Sequence, residues 1–255
     1  MNTSLATDNL IKLKKHIYEL CDTYNINYPI QIVAVSKTVS INRILELYAE
    51  SHQTAFAENY VNEFSPKVDE LDKILSNLKP NKIDSNDVDE IHLPHYTSQT
   101  EWHFIGNIQS NKIREISQKS SWVQSLEKIK HAELLNTHRL PVQPKLNVLI
   151  EVNISSEPNK HGLQSIDEIT QLADKIKQLP RLRLRGLMGV ASNTSDENII
   201  HQQFSYLKSI YARLIVNGYQ LDTLSMGMSH DYPIAIKCGA NMLRIGSLIF
   251  GERNY

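Results

Sequence analysis

The chain has 255 residues, 41% of them hydrophobic and 22% charged, with a formal charge of −1 at pH 7. That is the balance of an ordinary globular protein, and so even a charge gives no electrostatic reason to expect nucleic-acid or membrane binding. No apolar run approaches the ~20 residues that span a bilayer. Lysines interrupt residues 10–24 (LIKLKKHIYELCDTY) where an export signal would carry a continuous apolar core. Cys21 and Cys238 form no CxxC pair, so neither a disulfide framework nor a zinc site is expected, and a reducing cytoplasm fits.

In chain order, Leu10, Leu13, Ile17, Leu20, Cys21 and Tyr24 recur at helical spacing and predict an amphipathic helix that stops near Asn25–Pro29. IQIVAVS (30–36) then reads as a strand buried on both sides. A helix near 41–51, a strand at 54–59 (TAFAEN) and a helix through about 61–78 follow. EWHFIG (101–106) and SWVQSL (121–126) are the third and fourth strands, with a helix between them. LNVLIEVNI (146–154) is the fifth strand, followed by a helix at 165–179 that ends at Pro180. LRLRGLMGV (182–190), LDTLSMG (221–227) and NMLRIGS (241–247) complete eight strands, separated by helices at 196–217 and 231–239.

Alternating strands and helices with right-handed crossovers predict an α/β fold, a closed (β/α)₈ TIM barrel of one domain over residues 1–255. The alternative is an open doubly wound sheet. Little chain remains after strand eight for a last helix, and the N-terminal helix could cover that gap. Residues 79–99 are polar and without apolar period, and are read as a surface loop on the N-terminal face. A closed barrel also suggests a monomer.

A barrel's active site lies at the C-terminal tips of its strands. There the sequence puts Lys37 after strand one, Asn59 after strand two and His103 with Gly106 on strand three. Strand seven runs into Met226-Gly227-Met228-Ser229 and strand eight into Arg244-Ile245-Gly246-Ser247. A lysine partly withdrawn from water at such a mouth can present a neutral amine to an aldehyde. The plainer alternatives are that it snorkels to solvent or pairs with Glu58. Glycines, hydroxyls and backbone N–H groups in two neighbouring loops suit a phosphate, although Gly227 and Gly246 could serve only tight turns. Together with the lysine they fit an aldehyde-bearing phosphate ester.

Arg244 should share an inward face with Gly246, two residues on. Facing a pyridine nitrogen, it would donate a hydrogen bond and keep that nitrogen unprotonated, weakening the ring as an electron sink. Its alternative is a rim pair with Glu252. His92, His95 and His103 lack a metal-ligand frame. Arg181, Arg183 and Arg185 read as solvated charges at the barrel bottom. GxGxxG, GxxxxGK[ST] and GxSxG do not occur.

The pieces AVSKT (34–38), ENYVNE (58–63), EWHFIGNIQSNK (101–112), LNVLIEVNIS (146–155), LRLRGLM (182–188), LSMGMS (224–229) and RIGSLIFGERNY (244–255) run across nearly the whole chain. Together they resemble the pyridoxal phosphate homeostasis proteins. The resemblance implies a barrel like the N-terminal domain of bacterial alanine racemase, with pyridoxal 5′-phosphate (PLP) as a Schiff base on Lys37. It implies phosphate contacts from Ser229, Gly246 and Ser247, a pyridine-nitrogen partner in Arg244, and a pocket lined by Asn59, His103 and Met226. It further implies a cofactor carrier or buffer without established turnover, with apo PLP-dependent enzymes as recipients. A low-activity amino-acid racemase is the alternative, and a lysine-dependent aldolase a third reading. Lys160 is the next lysine to consider as an acceptor. Ser247 stands where the family usually has threonine, and LMGV where LMAI or LMCI is common.

Overall fold

The structure, a computed structural model, describes residues 3–77, 100–155, 157 and 160–252. Eight parallel strands close into a barrel in sequence order: β1 (Gln31–Val35), β2 (Ala55–Glu58), β3 (Glu101–Phe104), β4 (Trp122–Leu126), β5 (Leu146–Val152), β6 (Leu182–Gly189), β7 (Thr223–Ser225) and β8 (Met242–Ile245). The closed barrel expected from the sequence is the one observed. Between the strands run α2 (Ile41–Ser51), α3 (Val61–Asn77), α4 (Ile113–Lys119), α5 (Ile129–His138), α6 (Ile166–Lys177), α7 (Glu197–Val216) and α8 (Tyr232–Lys237). The expected loop at 79–99, with His92 and His95, lies outside the described residues.

The N-terminal helix closes the outer ring, as expected. Among the described residues one turn, α9 (Ser247–Phe250), follows β8, and α1 (Leu5–Thr23) packs against α2, α8 and α9. The amide side chain of Asn9 donates to the Ile249 carbonyl at 3.2 Å, and Arg43 of α2 reaches the Phe250 carbonyl at 2.6 Å. Helix starts carry their own signals: Ser165 and Glu168 form a reciprocal capping box at α6, and Asp196 caps α7.

Two apolar layers follow from the two-residue period of the strands. Side chains of one parity, such as Phe56, Trp102, Phe104 and Val123, join the large core between the strands and the helices. Those of the other parity fill the barrel interior: Val33, Val35, Ala55, Ala57, Trp122, Leu149, Met188 and Met242. At the floor, the Arg185 guanidinium covers the Trp122 ring at 4.6 Å and is fixed by Asp222 at 2.7 Å. Arg185 is thus a plug as much as a solvated charge. The small alanines of β2 leave room for the large residues of β3 and β4 beside them.

Candidate functional site

Lys37 follows the inward-facing Val35 by two residues, just past the end of β1, and is half-buried. It sits in a tight turn closed by the Val39 amide on the Ser36 carbonyl at 2.9 Å. The next residue, Thr38, has φ 65°, a left-handed conformation unfavourable for a β-branched side chain. Helix α3 holds this turn. The Thr38 amide donates to Glu63 Oε2 at 2.7 Å, and Lys67 Nζ donates to the Ser36 carbonyl at 2.8 Å. Lys67 also pairs with Glu58 at 2.7 Å, which Ser36 Oγ meets from the other side at 2.7 Å. Glu58 is therefore committed to the outer layer, and the pairing with Lys37 weighed from the sequence is not how it is held. Burial raises the Glu58 pKa, and its bonds to Lys67 and Ser36 oppose that rise. Nothing local in the sequence marked Glu63 and Lys67 as guardians of this turn.

On the neighbouring strand, Arg244 is buried in the barrel, as its parity with Gly246 suggested. Its Nη1 donates to Ser225 Oγ at 2.7 Å and its Nη2 to the Gly189 carbonyl at 3.0 Å. A rim pair with the exposed Glu252 is thereby replaced. Burial brings the guanidinium pKa down to about 10, opposed by Asp231 and Glu151, so it stays charged at neutral pH. The loops after β7 and β8 meet where Ser229 Oγ accepts the Leu248 amide at 3.3 Å, so Ser229, Gly246 and Ser247 lie together at one edge of the mouth. Gly227 has φ 94°, and a Cβ there would lie 2.6 Å from the Ala235 Cβ. The β7 loop can turn under α8 only with glycine at that position.

Below Arg244 a line of hydrogen bonds descends through the barrel. Ser225 Oγ donates to Gln124 Oε1 at 2.7 Å, and Gln124 Nε2 meets His103 Nδ1 at 2.8 Å. His103 Nε2 meets Glu101 Oε1 at 2.8 Å, and Gln31 donates to the same oxygen at 2.6 Å. His103 is fully buried and stacks on Trp122, ring centroids 5.4 Å apart. Burial lowers its pKa, with the hydrogen bond and charge of Glu101 opposing. Burial pushes the Glu101 pKa up, but its contacts with His103 and Gln31 outweigh this and leave it below the usual carboxylate range.

Glu151 is the other ionisable group of this interior. It is half-buried and shares the parity of Leu149. Burial raises its pKa to about 7, with Glu127 adding to the rise and Arg244 opposing it. A carboxyl raised from 4.5 in the folded state contributes stability below about pH 4.5 that is lost as pH climbs through about 7. Glu151→Gln should therefore match the native chain near pH 4 and exceed its stability at pH 8, by on the order of 1 kcal/mol after discounting for partial exposure. Urea unfolding at both pH values checks this; an equal gain at the two would exclude the titration as its origin.

The structure gathers Lys37, Arg244, Ser229, Gly246 and Ser247 at one end of the barrel, with Asn59 at the tip of β2. Asn59 Oδ1 is buried without a hydrogen-bond partner. Two residues expected to line the pocket sit elsewhere. Met226 has the outward parity and is fully buried between barrel and helices, and its neighbour Ser225 is the one that faces in. His103 is inward but turned to the floor, both ring nitrogens engaged. Lys160 is tied to Glu157 at 2.8 Å and to the Ala191 carbonyl at 3.3 Å. Among the described residues no cluster of three potential metal ligands occurs, and no helix is long and apolar enough to cross a membrane.

Comparison with known proteins bears on the family and the barrel. Residues 9–254 match the family model for the alanine racemase N-terminal domain. The pyridoxal phosphate homeostasis protein of Haemophilus influenzae is 40% identical over 252 residues, 97% of this chain and 95% of the relative. A crystal structure of an unknown protein from Bifidobacterium adolescentis superposes with a TM-score of 0.82 at 25% identity, covering 96% of this chain and 94% of that one. PipY of Synechococcus elongatus, solved with PLP bound, superposes with a TM-score of 0.75 at 25% identity, covering 97% of this chain and 100% of that one. Matched by that family model over nearly its whole length and 40% identical to such a relative, the chain belongs to the pyridoxal phosphate homeostasis protein family.

Proposed function

We propose that this chain binds PLP at the barrel mouth through a covalent bond to Lys37 Nζ, and holds it reversibly for delivery to apo PLP-dependent enzymes. The observation that carries the reading is the clamped Lys37 turn beside a buried, charged Arg244. The donor set fits the group: an amine for an aldehyde, a guanidinium for a ring nitrogen, and hydroxyls with backbone N–H groups for a phosphate. The unpartnered Asn59 Oδ1 adds a buried acceptor at the same mouth.

When bound, PLP supplies an aldehyde that exchanges between amines and a ring that can withdraw electrons. Lys37 supplies the exchanging amine, and the α3 clamp fixes its backbone so that little ordering remains to be done on binding. Ser229 Oγ and the backbone of Gly246 and Ser247 hold the phosphate. Arg244 donates to the ring nitrogen without surrendering its proton, because its pKa of about 10 is still far above that of a pyridine. An unprotonated ring nitrogen makes a poor electron sink, which favours holding the cofactor over racemising an amino acid. We read the barrel as the whole PLP-binding unit.

The decisive experiment is the absorbance spectrum of PLP-treated protein, followed by borohydride reduction and peptide mapping. A visible band that reduces onto Lys37 is the expected result. No band after PLP addition would remove the carrier reading.

A further inference from the structure

We propose that Ser225, Gln124, His103 and Glu101 form a relay that locks the Arg244 guanidinium in its orientation toward the PLP ring nitrogen, with His103 as the positioning residue that sets the relay's direction. The proposal deepens the PLP reading above and rests on it.

Its first support is that one proton assignment, with a neutral His103, satisfies every contact along the line. Arginine has donors only, so the 2.7 Å contact makes Ser225 Oγ an acceptor from Arg244. The single Ser225 proton is then available to Gln124, whose Oε1 stands at 2.7 Å. That orientation puts the Gln124 NH₂ against His103 Nδ1, so Nδ1 is a bare acceptor and the ring proton lies on Nε2. Nε2–H in turn donates to the Glu101 carboxylate at 2.8 Å, the acceptor with which the line ends. Every donor points from the mouth to the floor. Aligned bonds of this kind polarise one another, and the sum places electron density on Ser225 Oγ, facing the guanidinium.

A second support is location. With Arg244 the relay spans four strands, inside an interior whose apolar residues are Val33, Val35, Ala55, Ala57, Trp122, Leu149, Met188 and Met242. Apolar residues of similar volume would serve stability there at least as well as a polar network. A fully satisfied line that ends on the functional arginine is accounted for by orientation. A second proton on His103 would set Nδ1–H against the Gln124 NH₂ and force the amide to turn. Ser225 would then receive two donors, and the line to Arg244 would lose its direction.

Two measurements test this. In ligand-free protein, ¹⁵N spectra of the His103 ring should show a neutral imidazole with its proton on Nε2 from about pH 6 to 8. A ring protonated on Nδ1, or charged across that range, overturns the relay whether or not PLP binds. With PLP, Ser225→Ala and Gln124→Leu should each raise Kd about tenfold, equivalent to 1.4 kcal/mol, and shift the absorbance maximum of the bound cofactor. Ser225→Ala removes one oxygen and keeps the packing, which guards against a folding failure. The double variant should be no worse than either single one, because both cut the same line. Kd within twofold of the native chain, or losses that multiply in the double variant, would overturn the proposal. Native protein that does not bind PLP at all overturns the cofactor reading instead, and the ring spectra, taken without PLP, tell the two failures apart.

Discussion

Lys37→Ala is expected to abolish the borohydride-stable PLP adduct while leaving the barrel folded. The adduct needs an amine at the mouth, and alanine offers none. The fold should tolerate the change for three reasons. Lys37 is half-buried, so its truncation opens no sealed cavity. The buried Glu58 keeps its charge partner, because Lys67 supplies that pairing at 2.7 Å. The turn itself is held through backbone groups of Ser36, Thr38 and Val39, which alanine leaves in place. A loss of about 1 kcal/mol corresponds to a Tm fall of roughly 2–4 °C for a chain of this size. Reduction, digestion and mass spectrometry of the variant check the first claim, and a melting curve the second. Adduct at the native yield would refute Lys37 as the anchor. If mapping then found it on Lys160, the Lys160–Glu157 pair would have to open, since its Nζ is already engaged.

This outcome depends on features of unequal visibility in the sequence. The eight strands were legible because apolar β-rich runs alternate with helical spacing, and helices 41–51 and 196–217 fall within a residue of α2 and α7. Helix α5 was not, because its buried face is His131, Ala132 and Leu135, too weakly apolar to show a period. Lys37, Ser229, Gly246 and Arg244 could be listed as candidates because strand-end position puts them at one end of the barrel, while their roles came from the family resemblance. Ser225, Gln124, Glu63 and Lys67 were missed, because their importance lies in contacts across strands or to a helix, which need the register. The Ser225 parity was available, however: it shares the inward phase of Gly227 and should have displaced Met226. His103 was found but assigned to the rim, since parity says in or out and not up or down.

Gly106→Ala should produce a large loss of stability, and should weaken PLP binding with it. A Cβ at Gly106 would lie 1.8 Å from the Asn59 carbonyl oxygen and 2.5 Å from its carbon. Both are backbone atoms, so no rotamer change relieves the clash, and the tips of β2 and β3 must separate. Separation strains the Ile105 amide bond to the Glu58 carbonyl, 3.0 Å, and the Ser125 Oγ bond to the Gly106 carbonyl, 2.6 Å. Overpacking inside a well-packed core costs about 1–3 kcal/mol, occasionally more, and a contact this short belongs at the upper end. About 3 kcal/mol would lower Tm by roughly 6–12 °C. The same displacement moves Asn59, whose buried Oδ1 faces no partner of its own. PLP affinity should fall about tenfold, measured below the lowered Tm so that unfolding does not contribute. A variant that melts with the native chain would mean the β2 and β3 tips are not packed as described. One that is destabilised yet binds PLP normally would remove Asn59 from the mouth.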